Sequence, residues 1–598
     1  MNRNDKLFVA LLIALLMGWM WYSSKNAPKT HPQAVPAPTA AAAVSTNPTP
    51  AILSAPTNTT SAVSEPVPVV PSSGATPHLV PEQTVILRTA DTELKISSRG
   101  GTLLSATLPG YRSLPEKNSG PVILDFNPQP ALALSGLPGI PPDADYTLKT
   151  DPSNTIATLT FRTPQGLTLE RRIELREHHQ VDVTDRITNP SDAPFAIGTN
   201  WIALGTLHRS DSKNEEIAAD SFSTDPEAKV RHWSDDLPKL FGASSFGCGK
   251  PSLTLPERVQ ETVTGSQRWI ALKTRFFVQT FAASVPNTAF RVEAVRNTTL
   301  AALTVTQIGG AVAFPGALLK AGDGMERSYR IYVGPKKLAY LKTLGDRTDS
   351  IMQFGFFSWF CKPLLPLLNF FYDLIPNYGV AIILLTFLVR IVFWPLTHKS
   401  TESAKRMRDI QPKLKEIQEK FKENPQQLQQ EIWKTYRENK VNPLSSCLPM
   451  LVQLPVFIAL YTVLRSAVEL RYAPFLWVVD LSEPENLFAS LLPIPINILP
   501  LLMAAATVWQ SKLTPAMGDP MQQKMMTWMM PLMMLYFFYS MPSALSLYWF
   551  VSTLLAIVQL RWQQRGGRSS PSAIPGNPAA AGGAQEGFTR QMRRRLGR

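Results

Sequence analysis

The sequence predicts an α-helical polytopic membrane protein, with an N-terminal anchor and a five-helix core, into which an all-β sandwich domain is inserted. Three observations predict this fold class. Apolar residues are concentrated in blocks rather than spread evenly along the 598 residues. Short alternating runs separate the first block from the others. The net charge of +14 comes from lysines and arginines beside the apolar blocks, which is the pattern of cytoplasmic membrane-protein loops and argues against specific DNA binding.

The first element is an apolar run over residues 7–22 that follows a short basic start. No small-residue cleavage site follows it, and Trp19 and Trp21 are typical of side chains at a membrane surface. We predict a retained transmembrane anchor over residues 1–26 with a cytoplasmic N-terminus. Residues 27–83 are rich in proline, alanine, serine and threonine, which predicts a disordered linker.

The second element is a predicted β-sandwich over residues 84–345. Short runs that alternate with a period of two and are rich in β-branched residues predict strands. The clearest runs are residues 84–87, 155–161, 167–175, 181–187 and 327–333. Turn clusters separate them without an intervening helical pattern, so we predict an antiparallel sandwich. The alternation of the spans places this sandwich on the exoplasmic side.

The remaining elements are helical. Residues 346–376 predict an amphipathic helix in the membrane interface, because prolines and polar residues interrupt its aromatic residues. Residues 377–562 predict the core, and residues 563–598 a basic cytoplasmic tail. With the anchor counted as the first span, spans two to six are predicted at residues 379–396, 444–464, 487–509, 525–539 and 545–560.

Arg390 lies inside the second span, where the sequence from Ala381 to Val389 is apolar except for Thr386. Nine residues separate Arg390 from Lys399, which places it about 13 Å below the cytoplasmic surface in a helix. A guanidinium at that depth costs about 2.5–3.5 kcal/mol unless it finds an acid, carbonyl groups or water. Spans two to six contain no aspartate or glutamate.

Neutral polar residues in the spans offer the alternative to an acid. They are Thr386, Gln453, Thr462, Asn497, Thr507, Ser546, Ser552 and Gln559. We predict a hydrated cavity within the bundle around Arg390; packing of the guanidinium against backbone carbonyls alone is the structural alternative. A lone cation without an acid suits brief attraction of an anionic or polar peptide segment, and does not suit proton relay.

The basic segment 398–442 predicts a helical hairpin on the cytoplasmic side. Its apolar residues recur at helical spacing on both sides of Glu423-Asn424-Pro425, at Ile410, Leu414, Ile417, Phe421, Leu428, Ile432 and Tyr436. Its basic surface suits nascent chains or ribosomal RNA, and it equally suits solvent or lipid headgroups.

The fifth span is crowded with methionines, at Met525, Met526, Met529, Met530, Met533 and Met534. Methionine is flexible and repacks against varied apolar partners, so Met530 and Met534 are candidates for substrate contact. Ordinary packing against lipid is the alternative.

We predict no metal, cofactor or catalytic site, and hence no enzyme. Cys248, Cys361 and Cys447 lack the paired spacing of a zinc site and are interpreted as structural, although a bridge between Cys248 and Cys361 is left open. His178, His179, Asp182 and Asp185 lie on an alternating strand without a convincing ligand set.

Several segments carry a resemblance to a known family. Residues 442–455, which read Asn-Pro-Leu-Ser-Ser-Cys-Leu-Pro-Met-Leu-Val-Gln-Leu-Pro, closely resemble the third span of YidC insertases. So do residues 468–471 followed by residues 473–475. Residues 386–390 and then 395–397 resemble the second span of that family, and residues 519–524 resemble its second cytoplasmic loop. Residues 332–336 resemble the end of its periplasmic domain in the Gram-negative form.

The resemblance implies a groove that is open to cytoplasm and lipid, with Arg390 inside it, and substrate contacts along the third and fifth spans. The matching positions are Thr386, Leu454, Pro455, Tyr548 and Trp549. It also implies work alone or beside the Sec translocon. Ala544 stands where the family usually has glycine and Trp549 where tyrosine is common, so the substrate contacts of the sixth span differ from the usual pattern.

The hypothesis is therefore a membrane protein insertase and chaperone of the inner membrane, with both termini cytoplasmic. Its expected partners are newly made membrane proteins, Sec translocon components, membrane lipids and the ribosome. The first alternative is a small-solute transporter that uses Arg390 as an anion site, although paired half-repeats are not evident in the spans. A second is a scaffold whose sandwich assembles envelope partners.

Overall fold

The structure, a computed structural model, describes most of the chain from residue 81 onward. It covers residues 81–116, 118–210, 215–225, 227–241, 256–297, 304–439, 448–489, 491, 495–513 and 520–566. The predicted anchor, the linker up to residue 80, the tail from residue 567, Cys248 and Cys447 lie outside these residues.

Twenty strands occur in the described part of the chain. They are β1 Thr84–Arg88, β2 Glu93–Ser97, β3 Thr102–Arg112, β4 Pro121–Asp125, β5 Leu134–Ser135, β6 Thr147–Thr150, β7 Ile156–Arg162, β8 Thr168–Leu175, β9 Gln180–Thr188, β10 Phe195–Ile197, β11 Asn200–His208, β12 Ala218–Ser223, β13 Arg231–His232, β14 Arg258–Thr264, β15 Gln267–Lys273, β16 Phe277–Ala283, β17 Ala289–Arg296, β18 Val305–Phe314, β19 Ala317–Leu319 and β20 Gly324–Pro335. The five strands expected from alternation are confirmed as β1, β7, β8, β9 and β20.

The strands pair in antiparallel sheets, as a sandwich requires. The larger sheet has the order β13-β12-β15-β16-β20-β9-β8-β7-β6, and the second has the order β14-β17-β18-β11-β5. Strands β1 to β4 form a further sheet, and β10 pairs with β19. Side chains from these sheets meet in one apolar core that includes Ile173, Phe290 and Leu94. The all-β part of the predicted fold class is confirmed.

Alternation along β8 and β9 directs two charged residues into this core. Leu169, Arg171 and Ile173 are buried on β8, while the residues between them face outward. Asp185 is buried in the same way on β9 and is the register partner of Arg171. The period of two therefore places an arginine and an aspartate opposite each other inside the sandwich.

One short helix lies within the sandwich domain, and the other helices follow that domain and complete the fold. They are α1 Leu237–Leu240, α2 Leu338–Thr343, α3 Ser358–Leu374, α4 Tyr378–Asp409, α5 Gln411–Lys420, α6 Pro425–Glu438, α7 Leu448–Ser466, α8 Ile498–Leu513, α9 Pro520–Phe538 and α10 Ser543–Gly566. Among the described residues, Tyr378–Pro395 and Ser543–Gln563 are long and apolar enough to cross a membrane, and Ile498–Leu513 and Thr527–Phe538 are shorter apolar segments. Helix α10 packs against α8 and α4, and α3 packs against α4 and α7.

The fourth span was predicted to start at residue 487, and this start is wrong. Helix α8 begins at Ile498, and Leu487 pairs instead with Ile496 in an isolated β-bridge. The Glu485 carboxylate accepts hydrogen bonds from the backbone N–H groups of Ile498 and Leu499, at 2.9 and 2.5 Å. It satisfies amide groups that have no partner within the helix and so fixes the helix start.

The helix of the predicted second span runs directly into the predicted hairpin segment, which the sequence pattern did not indicate. Helix α4 extends past residue 396, its predicted end, to Asp409. The hairpin itself is confirmed as α5 and α6, and the Asn424 side chain caps α6 by accepting a hydrogen bond from the Gln427 N–H. Ile410 and Leu414 pack there with Ile432 and Tyr436.

Helix α3 has the two-faced character that was expected of an interfacial helix. Cys361, Leu364, Leu365 and Leu368 are buried, although Pro363 and Pro366 lie inside the helix. Trp359, Phe370 and Leu374 are exposed on the other face. An exposed aromatic face is typical of a helix that lies in the membrane interface.

The sandwich and the helices share a second apolar cluster. Phe222, Trp269 and Tyr332 contribute to it from the base of the sandwich. Leu365 and Leu464 contribute to it from α3 and α7. Because one cluster contains side chains from both parts, the base of the sandwich is packed directly on the helical core.

Lys336 lies buried at this junction and gives the stability a pH dependence. Burial lowers its pKa to about 7, with a further lowering by Lys273 that Asp220, Glu215 and Glu216 oppose. An unfolded lysine titrates near 10.4, so the unfolded chain binds more protons between these values. Stability should therefore rise with pH from about 7 to 10 and be lowest below 7.

We expect Lys336→Met to raise the thermal unfolding midpoint of the full chain in detergent, because it removes a buried ammonium group. The gain in the free energy of unfolding should be larger at pH 6 than at pH 9, by about 3 kcal/mol, because the linkage runs over about two pH units at about 1.4 kcal/mol each. Lys320→Met, at an exposed lysine, is the control. An equal gain at both pH values would show that Lys336 does not titrate in this range.

Candidate functional site

Arg390 lies on α4, within the part of that helix that is apolar enough to cross a membrane. Its side chain is half-buried and points toward α10. The exposed residues Phe387, Ile391 and Val392 lie close to it in sequence and show that another face of α4 is uncovered. Arg390 thus lies between the helix bundle and the uncovered apolar surface.

The hydrogen-bond partner of Arg390 is a neutral hydroxyl group. Its Nε and Nη2 groups both donate to Ser552 Oγ, at 2.9 and 2.7 Å. Within the described residues, the Nη1 group makes no hydrogen bond and the guanidinium has no carboxylate partner. The charge is therefore held in place, and no group in the described part of the chain neutralises it.

Thr386 and Tyr548 lie on the helices that carry the Arg390–Ser552 contact. Thr386 is one turn before Arg390 and is fully buried, and its hydroxyl donates to the Ile382 carbonyl at 2.6 Å. Tyr548 is one turn before Ser552 on α10 and is also buried. Arg390 and Ser552 therefore each have a buried residue with a hydroxyl group one turn earlier on the same helix.

Gln453, Leu454 and Pro455 lie on α7, which contacts both α4 and α10. All three side chains are half-buried. Leu454 packs against the apolar cluster shared by the sandwich and the helices. Pro455 lies inside the helix, where it cannot donate a backbone hydrogen bond.

The methionines of α9 divide between the surface and the core. Met529 is 52% exposed, Met530 is half-buried and Met534 is buried. Trp549 packs against Phe457 and Phe538, with ring centroids 5.1 and 5.4 Å away. The Trp549 indole therefore connects α10 to α7 and α9, because its large ring reaches aromatic side chains on both of these helices.

The neutral polar residues fall into different environments, which the sequence did not distinguish. Asn497 is wrongly placed in a span, because it precedes α8 and donates to the Tyr539 carbonyl at 2.6 Å. Thr462 and Thr507 donate to carbonyls of their own helices. Gln559 donates to Thr397 Oγ1 at 3.0 Å, a second polar contact between α10 and α4.

Sequence reasoning counted Ser552 among the polar residues but did not identify it as the partner of Arg390. A serine one turn after Tyr548 in an apolar helix was the available signal. The facing of the two helices, on which the contact depends, is set by packing between residues 162 positions apart.

The groups considered for metal or disulfide chemistry have other contacts. Asp185 is paired with Arg171, and the His179 Nδ1 atom lies 2.7 Å from the Thr92 hydroxyl. The Cys361 thiol is buried and donates to the Ala459 carbonyl at 3.6 Å. Among the described residues, no group of three or more histidine, cysteine, aspartate or glutamate side chains could hold a metal ion.

Two family models match the chain and together cover its sandwich and its helical core. The model described as YidC periplasmic domain matches residues 84–367, and the model described as 60Kd inner membrane protein matches residues 370–569.

Relatives named membrane protein insertase YidC match over most of their length. The one from Pelobacter propionicus is 33% identical over 510 residues, which are 82% of this chain and 89% of the relative. The one from Shewanella amazonensis is 32% identical over 585 residues, which are 93% of this chain and 97% of the relative.

Solved structures that the chain matches include an active YidC insertase with its first transmembrane domain resolved. It is 18% identical, with a TM-score of 0.33, and the match covers 81% of this chain and 93% of that one. A galactose mutarotase-like protein from Lactobacillus casei is 12% identical, with a TM-score of 0.29, over 42% of this chain and 100% of its own.

An outer β-sandwich packed on apolar helices, one of which carries an intramembrane arginine, defines an integral inner-membrane protein with a large periplasmic domain. The family matches cover both of these parts, and the two relatives are matched over 89% and 97% of their length. The chain belongs to the YidC family of membrane protein insertases. This is a family of insertases rather than of enzymes, and membrane proteins are its substrates.

Proposed function

We propose that this chain inserts membrane proteins through a hydrated groove formed by α4, α7, α9 and α10, with Arg390 as its charged centre. The supporting observation is that the Arg390 guanidinium is held by the Ser552 hydroxyl and has no carboxylate partner among the described residues. A carboxylate 4 Å from a guanidinium gains about 4 kcal/mol at an effective dielectric of 20, before desolvation. Such an attraction recruits a polar segment and still releases it.

The route that we propose uses the apolar surface beside this charge. The polar tail of a substrate enters from the cytoplasm and is drawn toward Arg390. Its apolar segment meanwhile moves against the third and fifth spans into lipid, at Leu454, Pro455 and Met530. Transfer of apolar surface from water to lipid supplies the driving force, so the chain itself needs no nucleotide.

The groove residues have different proposed roles. Thr386 and Tyr548 are buried beside the arginine and position the two helices. Gln453 contributes polarity, while Met534 and Trp549 support the apolar wall from inside the bundle. Ser552 is the positioning residue, because it fixes the direction of the guanidinium without neutralising it.

The topology that we propose has both termini in the cytoplasm. The anchor then crosses first, the sandwich lies in the periplasm, and the basic segments containing α5 and α6 and the tail lie inside. The proposed domains are those predicted above, with the start of the fourth span moved to Ile498. The hairpin of α5 and α6 would meet nascent chains or the ribosome, and the membrane core would also work beside the Sec translocon.

The test uses liposomes that contain the purified full chain and no other translocation factor. A small single-span substrate with an acidic tail is added, and protease protection of the tail measures insertion. We expect Arg390→Ala to lower protection by about tenfold, which corresponds to about 1.4 kcal/mol and is a part of the Coulomb gain that remains after desolvation. A substrate with a neutral tail should lose less.

Two variants make this measurement specific. Arg390→Lys keeps the charge and should retain most of the activity. Arg561→Ala removes an exposed arginine of α10 that lies over the Trp509 ring, and should leave insertion unchanged. If Arg390→Ala inserted the acidic-tailed substrate as well as the unaltered chain at equal protein levels, the electrostatic part of the proposal would be wrong.

A further inference from the structure

The loop between α7 and α8 has an unusual surface for a segment outside the membrane. Its most exposed large side chains are apolar: Leu476 is 75% exposed, Val479 59%, Phe488 60% and Leu491 78%. Trp477 is 38% exposed beside them. Such a group of large apolar side chains on a single loop marks an interaction surface rather than a face kept in water.

The acidic residues of the same loop point the other way and are occupied by internal contacts. Asp480 accepts hydrogen bonds from the backbone N–H groups of Tyr472 and Ser482. Glu483 pairs with Arg275 of the sandwich. A loop that faces water usually exposes its charged side chains and buries its large apolar ones. This loop does the opposite.

The backbone at the exposed positions is held in conformations that large side chains seldom adopt. Phe475 and Val478 exchange backbone hydrogen bonds of 2.9 and 2.8 Å, which places Leu476 and Trp477 at the tip of a tight turn. Leu476 has a φ of 52° and Phe488 a φ of 58°. A turn in water would favour glycine or asparagine at such angles; these positions hold a leucine and a phenylalanine.

The position of the turn relative to α4 indicates what covers it. The Phe475 ring lies directly against Gly379, the second residue of α4, and leaves no space for a side chain there. Helix α4 begins its membrane-crossing segment at Tyr378. The exposed aromatic face of α3, with Trp359 and Phe370, belongs to the helix packed beside α4. The turn therefore lies at the level where the membrane begins.

We propose that the α7–α8 loop is embedded in the outer leaflet of the membrane, with Leu476, Trp477, Val479, Phe488 and Leu491 in contact with lipid. The Trp477 indole donates to Glu485 at 2.9 Å, which suits an aromatic side chain at the boundary between headgroups and acyl chains.

The embedded loop also holds the sandwich in a fixed orientation on the membrane. Arg275 of the sandwich pairs with Glu483, and Arg471 of the loop donates to the carbonyls of Arg112 and Ser113. Through these contacts the loop connects lipid to sandwich next to the periplasmic ends of α4 and α7. This role is separate from the groove around Arg390.

The test places a dansyl amino acid at position 476, and separately at 488, in the full chain in phosphatidylcholine and phosphatidylglycerol nanodiscs. The control position is Leu318, which is 66% exposed. It lies near the Gly324 end of β20, and the 12 residues of that strand separate it by roughly 35–40 Å from the membrane junction at Pro335. Circular dichroism checks that each labelled chain is folded.

We expect lipids with a doxyl group near the headgroup to quench the probe at 476 and 488 at least threefold more than at 318. Aqueous iodide should show the reverse order. Because only the lipids carry the doxyl group, doxyl quenching reports contact of the probe with lipid. Equal doxyl quenching at all three positions, or stronger iodide quenching at 476 and 488 than at 318, would overturn the proposal.

Discussion

Replacing Asp185 by alanine should lower the local stability of the sandwich by about 3–5 kcal/mol, because it leaves a buried arginine without its counter-charge. Arg171 is fully buried, and its Nε and Nη2 groups donate to the Asp185 carboxylate at 2.6 and 2.8 Å. Its Nη1 group donates to the carbonyls of Gly101 and Leu132. Those two carbonyls cannot neutralise the cation after the carboxylate is removed.

The measurement is hydrogen exchange of the β8 and β9 amides in the full chain in detergent, which reports the free energy of local opening. Asp182→Ala is the matched control, since Asp182 is on the same strand and pairs with the exposed residues Arg176 and Arg330. It should cost less than 1 kcal/mol. The double variant Arg171→Met with Asp185→Leu should recover much of the loss. Equal effects of Asp185→Ala and Asp182→Ala would mean that the buried pair is not needed.

Replacing Arg275 by alanine should detach the sandwich from the α7–α8 loop, at a cost of about 3 kcal/mol or more. The buried Arg275 side chain bridges the two parts of the molecule. It donates to the Arg465 carbonyl at 2.9 Å, to the Ser482 carbonyl at 2.6 Å and to the Glu483 carboxylate. Alanine removes all of these charge-assisted hydrogen bonds and leaves two carbonyls without their donor.

Hydrogen exchange again separates this effect from general unfolding. Amides of the loop around Ser482 and of the turn around Arg275 should exchange faster together, while those of β8 and β9 keep their protection. Arg268→Ala is the control, because Arg268 is exposed and pairs with the exposed Asp346. Faster exchange throughout the sandwich, or none in the loop, would contradict a bridging role for Arg275.

These two predictions differ in how far the sequence could have led to them. Arg171 and Asp185 each occupy an inward position of an alternating strand, so the pattern alone places two charges on the core face. Strands β8 and β9 are consecutive in the sequence and adjacent in the sheet, so their pairing joins residues that are close together in the chain. Nothing local points to Arg275, whose partner Glu483 is 208 residues away.

The helix boundaries show the same distinction. Apolar composition located the helical blocks, but it wrongly included residues 487–497 in the fourth span. Hydropathy measures how apolar a segment is and does not show where its helix begins. The start at Ile498 depends on the Glu485 carboxylate, which lies outside the apolar block and accepts from the first amide groups. A cap of this kind depends on a single side chain and leaves no periodic signal.

The sequence by itself determined the class of protein, five strands of the sandwich, the helical hairpin and the presence of a lone cation in an apolar span. These follow from periodicity, hydropathy and charge, which act over a few residues at a time. Only the tertiary structure decided that Ser552 holds Arg390, that Arg275 and Arg471 join sandwich to loop, and that the loop turns its apolar side chains outward. Those contacts depend on how helices rotate and where sheets dock, and packing across the whole chain sets both.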